Sequence, residues 1–141
     1  MERAASSGSG PGVPSIIETM EEDRGGLMTG LRAIALSLPG VEERTLYDGF
    51  CRHWTPAYYL GDNQLFHVHN FRAGLRATVF VGGKKLEPLI LESDRVPLEL
   101  RLQLSKNAGS RGIRQVKVSL SSDDDVAALL ELARLKWHSL Q

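Results

Sequence analysis

One cysteine, Cys51, is the whole thiol content of this 141-residue chain. No disulfide can close within it, which fits a reducing compartment. No run of about 18 apolar residues occurs, so no membrane-spanning helix is expected. The start of the chain lacks the apolar core of a signal peptide, and a cytoplasmic protein is expected. Charge of either sign is not in excess: 17 Lys and Arg balance 17 Asp and Glu. That removes the simplest basis for nucleic-acid binding, which needs clustered positive charge to displace counterions. No paired catalytic carboxylates, Ser-His-Asp grouping or dinucleotide fingerprint is present, and an enzyme is not expected. Gly82-Gly83-Lys84-Lys85 lacks the G-x-x-x-x-G-K-[ST] spacing that wraps a phosphate in backbone amides. No internal repeat is visible.

What remains is ordinary globular material. Hydrophobic residues make up 42% and charged residues 24% of the chain, enough for one domain to bury a core without staples. Residues 1–14, MERAASSGSGPGVP, have too little apolar surface to offset ordering entropy and read as a disordered tail. Residues 15–141 read as a single domain.

Ser15 to Arg24 reads as a short helix with Ser15 and Glu18 as a capping box, broken by Gly25-Gly26. Leu27 to Leu38 reads as a helix whose inner face is Leu27, Leu31, Ile34, Ala35 and Leu38, ended by Pro39-Gly40. Thr45 to Tyr47 begins a strand, and Asp48-Gly49 signals a turn. Three strands follow, Ala57 to Leu60, Leu65 to Asn70 and Leu75 to Val81, rich in residues that suit a pleated surface and joined by turns short enough for antiparallel hairpins. Lys84 to Glu92 is ambiguous between a short helix from Pro88 and an edge segment. Val96 to Lys106 reads as a helix capped by Asp94 with Leu98, Leu102 and Leu104 inward. Ile113 to Leu120 alternates as a half-buried strand. Ser122 caps a last helix with Val126, Leu129, Leu130, Ala133 and Trp137 on its apolar face. The fold class is α+β: an antiparallel sheet meander with N- and C-terminal helices packed on one face.

His67 and His69 are the first candidates for chemistry. At i and i+2 in a strand they project to one face, about 7 Å apart along the backbone. Two imidazoles so placed can share iron or zinc, with His53, Cys51 or Asp62 completing the shell. The competing reading is two half-exposed histidines on a wet sheet face, with Phe66 and Val68 opposite them turned toward Leu31, Ile34, Leu130 and Trp137. Cys51-x-His53 has the residue types of a nucleophile and its base, but no accompanying motif, and an incidental cysteine explains it as well. Asp123-Asp124-Asp125 suits a helix N-terminus better than a cation. Arg72, Arg76, Lys84, Lys85, Arg111 and Arg114, near Trp54, Tyr58, Tyr59 and Phe71, are the residues that would form a basic and aromatic nucleic-acid surface.

LRAIALSLPGVEE from Leu31, followed by YDGF and TPAYYLGDNQLFHVHNF, resembles the opening of the bacterial YdhG-like domains of unknown function. SRGIRQVKVSLSSDDDVAALLELARLK resembles their end, so the likeness spans about Leu27 to Lys136. The LPGVEE opening is also similar to the MmcQ/YjbR-like family, which implies a double-wing α+β fold and a DNA-binding or regulatory role. The YdhG-like resemblance implies a small α+β fold and, through one class of members, a frataxin-like iron-chaperone role needing acidic or histidine ligands. The expected function is a small binding module that takes a transition metal or small ligand beside the central sheet, with the nucleic-acid module as the alternative. Should the apolar face of the last helix prove exposed, a homodimer is the further expected partner.

Overall fold

Between Val41 and Val81 the chain runs as four consecutive strands: β1 (Val41–Asp48), β2 (His53–Leu60), β3 (Asn63–Phe71) and β4 (Gly74–Val81). A fifth, β5 (Arg114–Leu120), lies beside β4. The computed structural model describes residues 10–82, 84–106 and 113–141. The sheet order is β1-β2-β3-β4-β5, antiparallel throughout. The three expected central strands are present. β1 extends well beyond Thr45 to Tyr47 and pairs with β2 from Val41–Leu60 to Asp48–His53.

The helices are α1 (Val13–Glu18), α2 (Glu22–Ser37), α3 (Leu86–Leu91), α4 (Leu98–Lys106) and α5 (Asp123–Ser139). Together with the sheet they form the expected α+β meander. α5 packs on β3, β4 and β5, α2 on β1 and α5, and α3 on α4 and α5. The core between helices and sheet includes Met28, Leu31, Phe66, Val68, Val79, Val116, Leu129 and Leu132.

Several local expectations give way to packing. The break between the first helices falls at Thr19–Glu21, and Gly25 and Gly26 lie inside α2. A Cβ at Gly25 would stand 3.5 Å from Ile17, so the glycine admits α1 at close range and tertiary contact overrides its poor helix propensity. Gly12, not Ser15, precedes α1, and Val13, assigned to the tail from sequence, is buried. Along α2 the buried line is Gly25, Met28, Leu31 and Ala35, while Ile34 is 52% exposed. In α4 the expected inward set of Leu98, Leu102 and Leu104 holds only for Leu104. Helical spacing buries Leu100 and Leu104, four apart, and leaves Leu98 and Leu102 exposed. Lys84 to Glu92 resolves as α3, with Leu86 and Ile90 buried. α5 behaves as read: Ser122 Oγ accepts from the Asp125 amide at 3.2 Å. Its buried face is wider than the heptad-like stripe and includes Leu132 and Leu135. Trp137 is half-buried against the core, and its Nε1 donates to the Pro39 carbonyl at 2.8 Å.

An irregularity in β3 matters for the site. Tyr58 pairs with Phe66 but Tyr59 pairs with Gln64, so Leu65 is an extra residue. A bulge of this kind re-aims the side chains next to it. Here Leu65 joins Phe66 in the core, and Gln64 comes onto the same face as His67, three residues on.

Candidate metal centre on the open face of the sheet

Strand alternation divides the sheet into a face covered by helices and an open face. Phe66 and Val68 are buried on the covered side as expected. His67 and His69 project to the other side, where cross-strand neighbours on β4 are Thr78 and Arg76. They are half-buried rather than wet. His67 packs edge-on against His69 with ring centroids 4.9 Å apart, and His69 stacks on Phe71 at 5.0 Å.

The bulge gives His67 a fixed partner. Gln64 Nε2 donates to the Tyr59 hydroxyl at 3.1 Å, so its Oε1 meets His67 Nδ1 at 2.7 Å. An amide oxygen only accepts, which puts the proton on Nδ1. Burial, with the charge of His69 second, pushes the His67 pKa down to about 4. His67 is therefore neutral at physiological pH.

His69 is held differently. Its Nε2 lies 2.7 Å from Asp48 Oδ2. The other carboxylate oxygen of Asp48 accepts the amides of Phe50 at 2.9 Å and Cys51 at 3.1 Å. The Cys51 amide, followed by His69, holds the Asp48 pKa down at about 2. An ionised carboxylate accepts, so His69 Nε2 donates, and Nδ1 is the ring nitrogen that Asp48 leaves free for another partner. A histidine held this way by a carboxylate is a familiar arrangement for a metal ligand. Asp48 was read from sequence only as a turn residue. Its pairing with His53 across the hairpin is the feature that could have revealed it, because directly opposed residues share a face.

The third group comes from the turn between β1 and β2. The Asp48 side chain caps that turn, and Arg52 takes a left-handed conformation (φ 59°) with its amide bonded to the Asp48 carbonyl. The turn carries Cys51 to His53 and His69, and one ligand atom from each of the three lies within 4.8 Å of the others. His53 Nε2 is buried and has no hydrogen-bond partner. Partial burial and the Asp48 charge raise the Cys51 pKa, so the free side chain is a thiol. That disfavours the nucleophile reading, which needs a thiolate.

Donor atoms around tetrahedral zinc stand roughly 3.3–3.7 Å apart, as follows from bonds of about 2.0–2.3 Å. The trio needs to close by about 1 Å to reach that geometry. Its donor set, one sulfur and two imidazoles, fits the ion. Beside it lies a cleft of about 310 Å³ lined by Asp48, Thr55, Gln64, His67 and His69 among others.

No family model, no curated protein and no solved structure matches the chain.

The other candidates lie apart. Asp62 sits in the β2–β3 turn, at the end of the hairpin away from Cys51. Arg72 and Arg76 belong to one end of β4, while Lys84, Lys85 and Arg114 belong to the other. Arg111 lies outside the described residues. Arg76 stacks on Phe71 at 4.6 Å, and Arg114 pairs with Glu87. Of the aromatics named with them, Tyr58 is buried on the covered side, donating to Glu43 at 2.8 Å, and Trp54 packs on Tyr47. The five described cations and four aromatics thus do not assemble as one surface. Asp125 accepts the amide and hydroxyl of Ser121 at 2.9 and 3.0 Å, which is capping work.

Proposed function

We propose that this chain is a transition-metal-binding module whose ligands are Cys51, His53 and His69, with Asp48 orienting His69. The observation that carries the reading is that Cys51, His53 and His69 each offer a ligand atom within 4.8 Å of the others, while His53 carries a buried, unpartnered Nε2. A buried nitrogen left without a partner costs about 1–3 kcal/mol, and a metal would supply the missing bond. Of iron and zinc, the two ions expected from sequence, thiolate with two imidazoles favours zinc over Fe(II). Three protein donors leave one position of a tetrahedral ion open, which suits a module that hands its metal on. The reading keeps the metal-carrying role that the YdhG-like resemblance implies and changes the ligand set. His67, paired with Gln64, borders the centre rather than joining it.

Calorimetric titration of the reduced protein with Zn(II) and Fe(II) tests the assignment. Zinc should bind once per chain, more tightly than iron, and release the Cys51 proton, so affinity should rise with pH. Cys51→Ser and His53→Ala should each weaken binding by at least about tenfold, the lower end of what losing even an outer-shell partner does. Heat indistinguishable from the buffer blank for the parent would sink the proposal.

A further inference from the structure

At the end of the sheet formed by the β2–β3 turn, the last residues of β4 and the start of β5, a cleft of about 450 Å³ opens between α3 and the C-terminal turn of α5. Beside the neutral polar Asn63 and Ser139, two kinds of group line it. Lys84, Lys85 and Lys136 bring three ammonium groups, and Phe80, Leu86, Ile113 and Leu140 bring apolar wall. Among the described residues no carboxylate lines it. Ile113 is 70% exposed and Leu140 37% exposed, so part of that wall faces water.

We propose that this cleft binds a small amphipathic carboxylate, an organic acid with a short hydrocarbon tail, with Lys136 as the charge partner of its head and Phe80, Ile113 and Leu140 against its tail. The site shares no residue with the metal centre, although the Phe80 ring lies 5.6 Å from that of His67, which borders the centre. Lys136 lies on α5, where its stem runs into the cleft and its Nζ donates to the Phe80 carbonyl at 2.6 Å. An ammonium has three donors, so two remain. Among the described residues no carboxylate forms an ion pair with it, whereas the neighbouring Arg114 is matched by Glu87. An amine buried without a counter-charge is disfavoured in its charged form, and burial lowers the Lys136 pKa to about 8. A carboxylate would restore the missing charge through a charge-assisted hydrogen bond. The exposed Lys84 and Lys85 add attraction at the rim, which salt screens. The apolar wall distinguishes the ligand from inorganic phosphate, which would gain the charge but leave Ile113 and Leu140 in water.

Amide and methyl resonances of the full chain, followed by NMR during titration with hexanoate and separately with inorganic phosphate, test this. Hexanoate should give saturable shifts at Phe80, Ile113, Leu140 and Lys136, and phosphate should bind at least about tenfold more weakly for want of buried apolar area. Lys136→Met keeps the stem and removes the charge, and should weaken hexanoate about tenfold or more. Lys136→Gln serves as a second variant should the methionine disturb the fold, with the same expectation. Lys84→Gln/Lys85→Gln should weaken it by only about threefold and flatten the salt dependence. Absence of saturation into the tens of millimolar, equal binding by parent and both Lys136 variants, or phosphate binding as tightly as hexanoate would each overturn the proposal.

Discussion

The two faces of β3 are built from adjacent residues, yet they meet their polar groups on different terms. On the covered face the half-buried Glu43 carboxylate is answered by two elements at once. Glu43 accepts from Arg32 at 2.7 and 3.1 Å and from the Tyr58 hydroxyl at 2.8 Å, which ties α2, β1 and β2 together. On the open face, His67 and His69 are each held through one nitrogen, and His53 Nε2 and Arg76 Nε are buried without a partner. A folded chain tolerates few such groups. Where they cluster beside a thiol, a ligand is the economical explanation, and local departures from full satisfaction tend to mark functional sites.

The comparison can be broken most forcefully at the covered face. Phe66, fully buried and stacked on Tyr58 at 4.8 Å, should cost about 3–5 kcal/mol when changed to alanine, read as a lower urea midpoint at unchanged slope. A loss under about 1 kcal/mol would mean that the hydrophobic support lies elsewhere.

At the open face the largest effect should come from adding metal. With free zinc at 100 times its Kd, the parent should gain about 2.7 kcal/mol, because a ligand that binds only the folded state stabilises it by mass action. Phe66→Ala should gain as much from zinc as the parent does, if it still folds. Cys51→Ser should gain at most about 1.4 kcal/mol, the value for tenfold weaker binding, while losing little stability without metal. Equal zinc stabilisation of parent and Cys51→Ser would remove the sulfur from the centre.

The two faces were unequally legible in the sequence. Period-two alternation was enough to send Phe66 and Val68 one way and His67 and His69 the other, and the Ser122 cap was plain. The helices were harder. Met28 against Ile34 in α2, and Leu100 against Leu98 in α4, differ by which line of a helix meets the sheet, and apolar residues on more than one side leave that to tertiary packing. The centre was half visible. The sequence names His67 and His69 as a pair with His53, Cys51 or Asp62 to complete the shell, but not the Cys51, His53 and His69 trio without His67. Bringing Cys51 to His69 depends on a left-handed Arg52 and on an Asp48 side chain that caps its own turn. Neither has a strong local signature. The bulge at Leu65 is also silent in the alternation, and it decides which histidine Gln64 engages.

Acid should separate the faces next, because the covered face presents no histidine to titrate among the described core residues. His67 has its folded pKa lowered from 6.5 to about 4. Between those values the unfolded chain binds the proton that the folded chain refuses, so stability should rise with pH across the window and fall on acidification. A loss of about 2 kcal/mol is expected between pH 7 and 4. In His67→Gln, which keeps a donor for Gln64, most of that loss should vanish from the pH dependence of the urea midpoint. An unchanged profile would show that the ring protonates freely in the folded state.

Asp48 should give the smallest effect, in a lower window and with a different signature. Its folded pKa is depressed from 3.8 to about 2, so its contribution is present above the unfolded value and is lost as pH falls through the folded one. The contribution should be only about 1 kcal/mol, because water reaches this half-buried site and screens it. Asp48→Asn keeps an oxygen for the Phe50 and Cys51 amides but removes the charge opposite His69. The variant should therefore lose little stability near pH 7 and none of the covered face's resistance to urea. It should bind zinc about 10- to 100-fold more weakly, the range for an outer-shell partner of a metal-bound histidine. Zinc affinity unchanged from the parent, with the pH window near 3 abolished, would leave Asp48 as a turn cap alone and take the orienting role away from it.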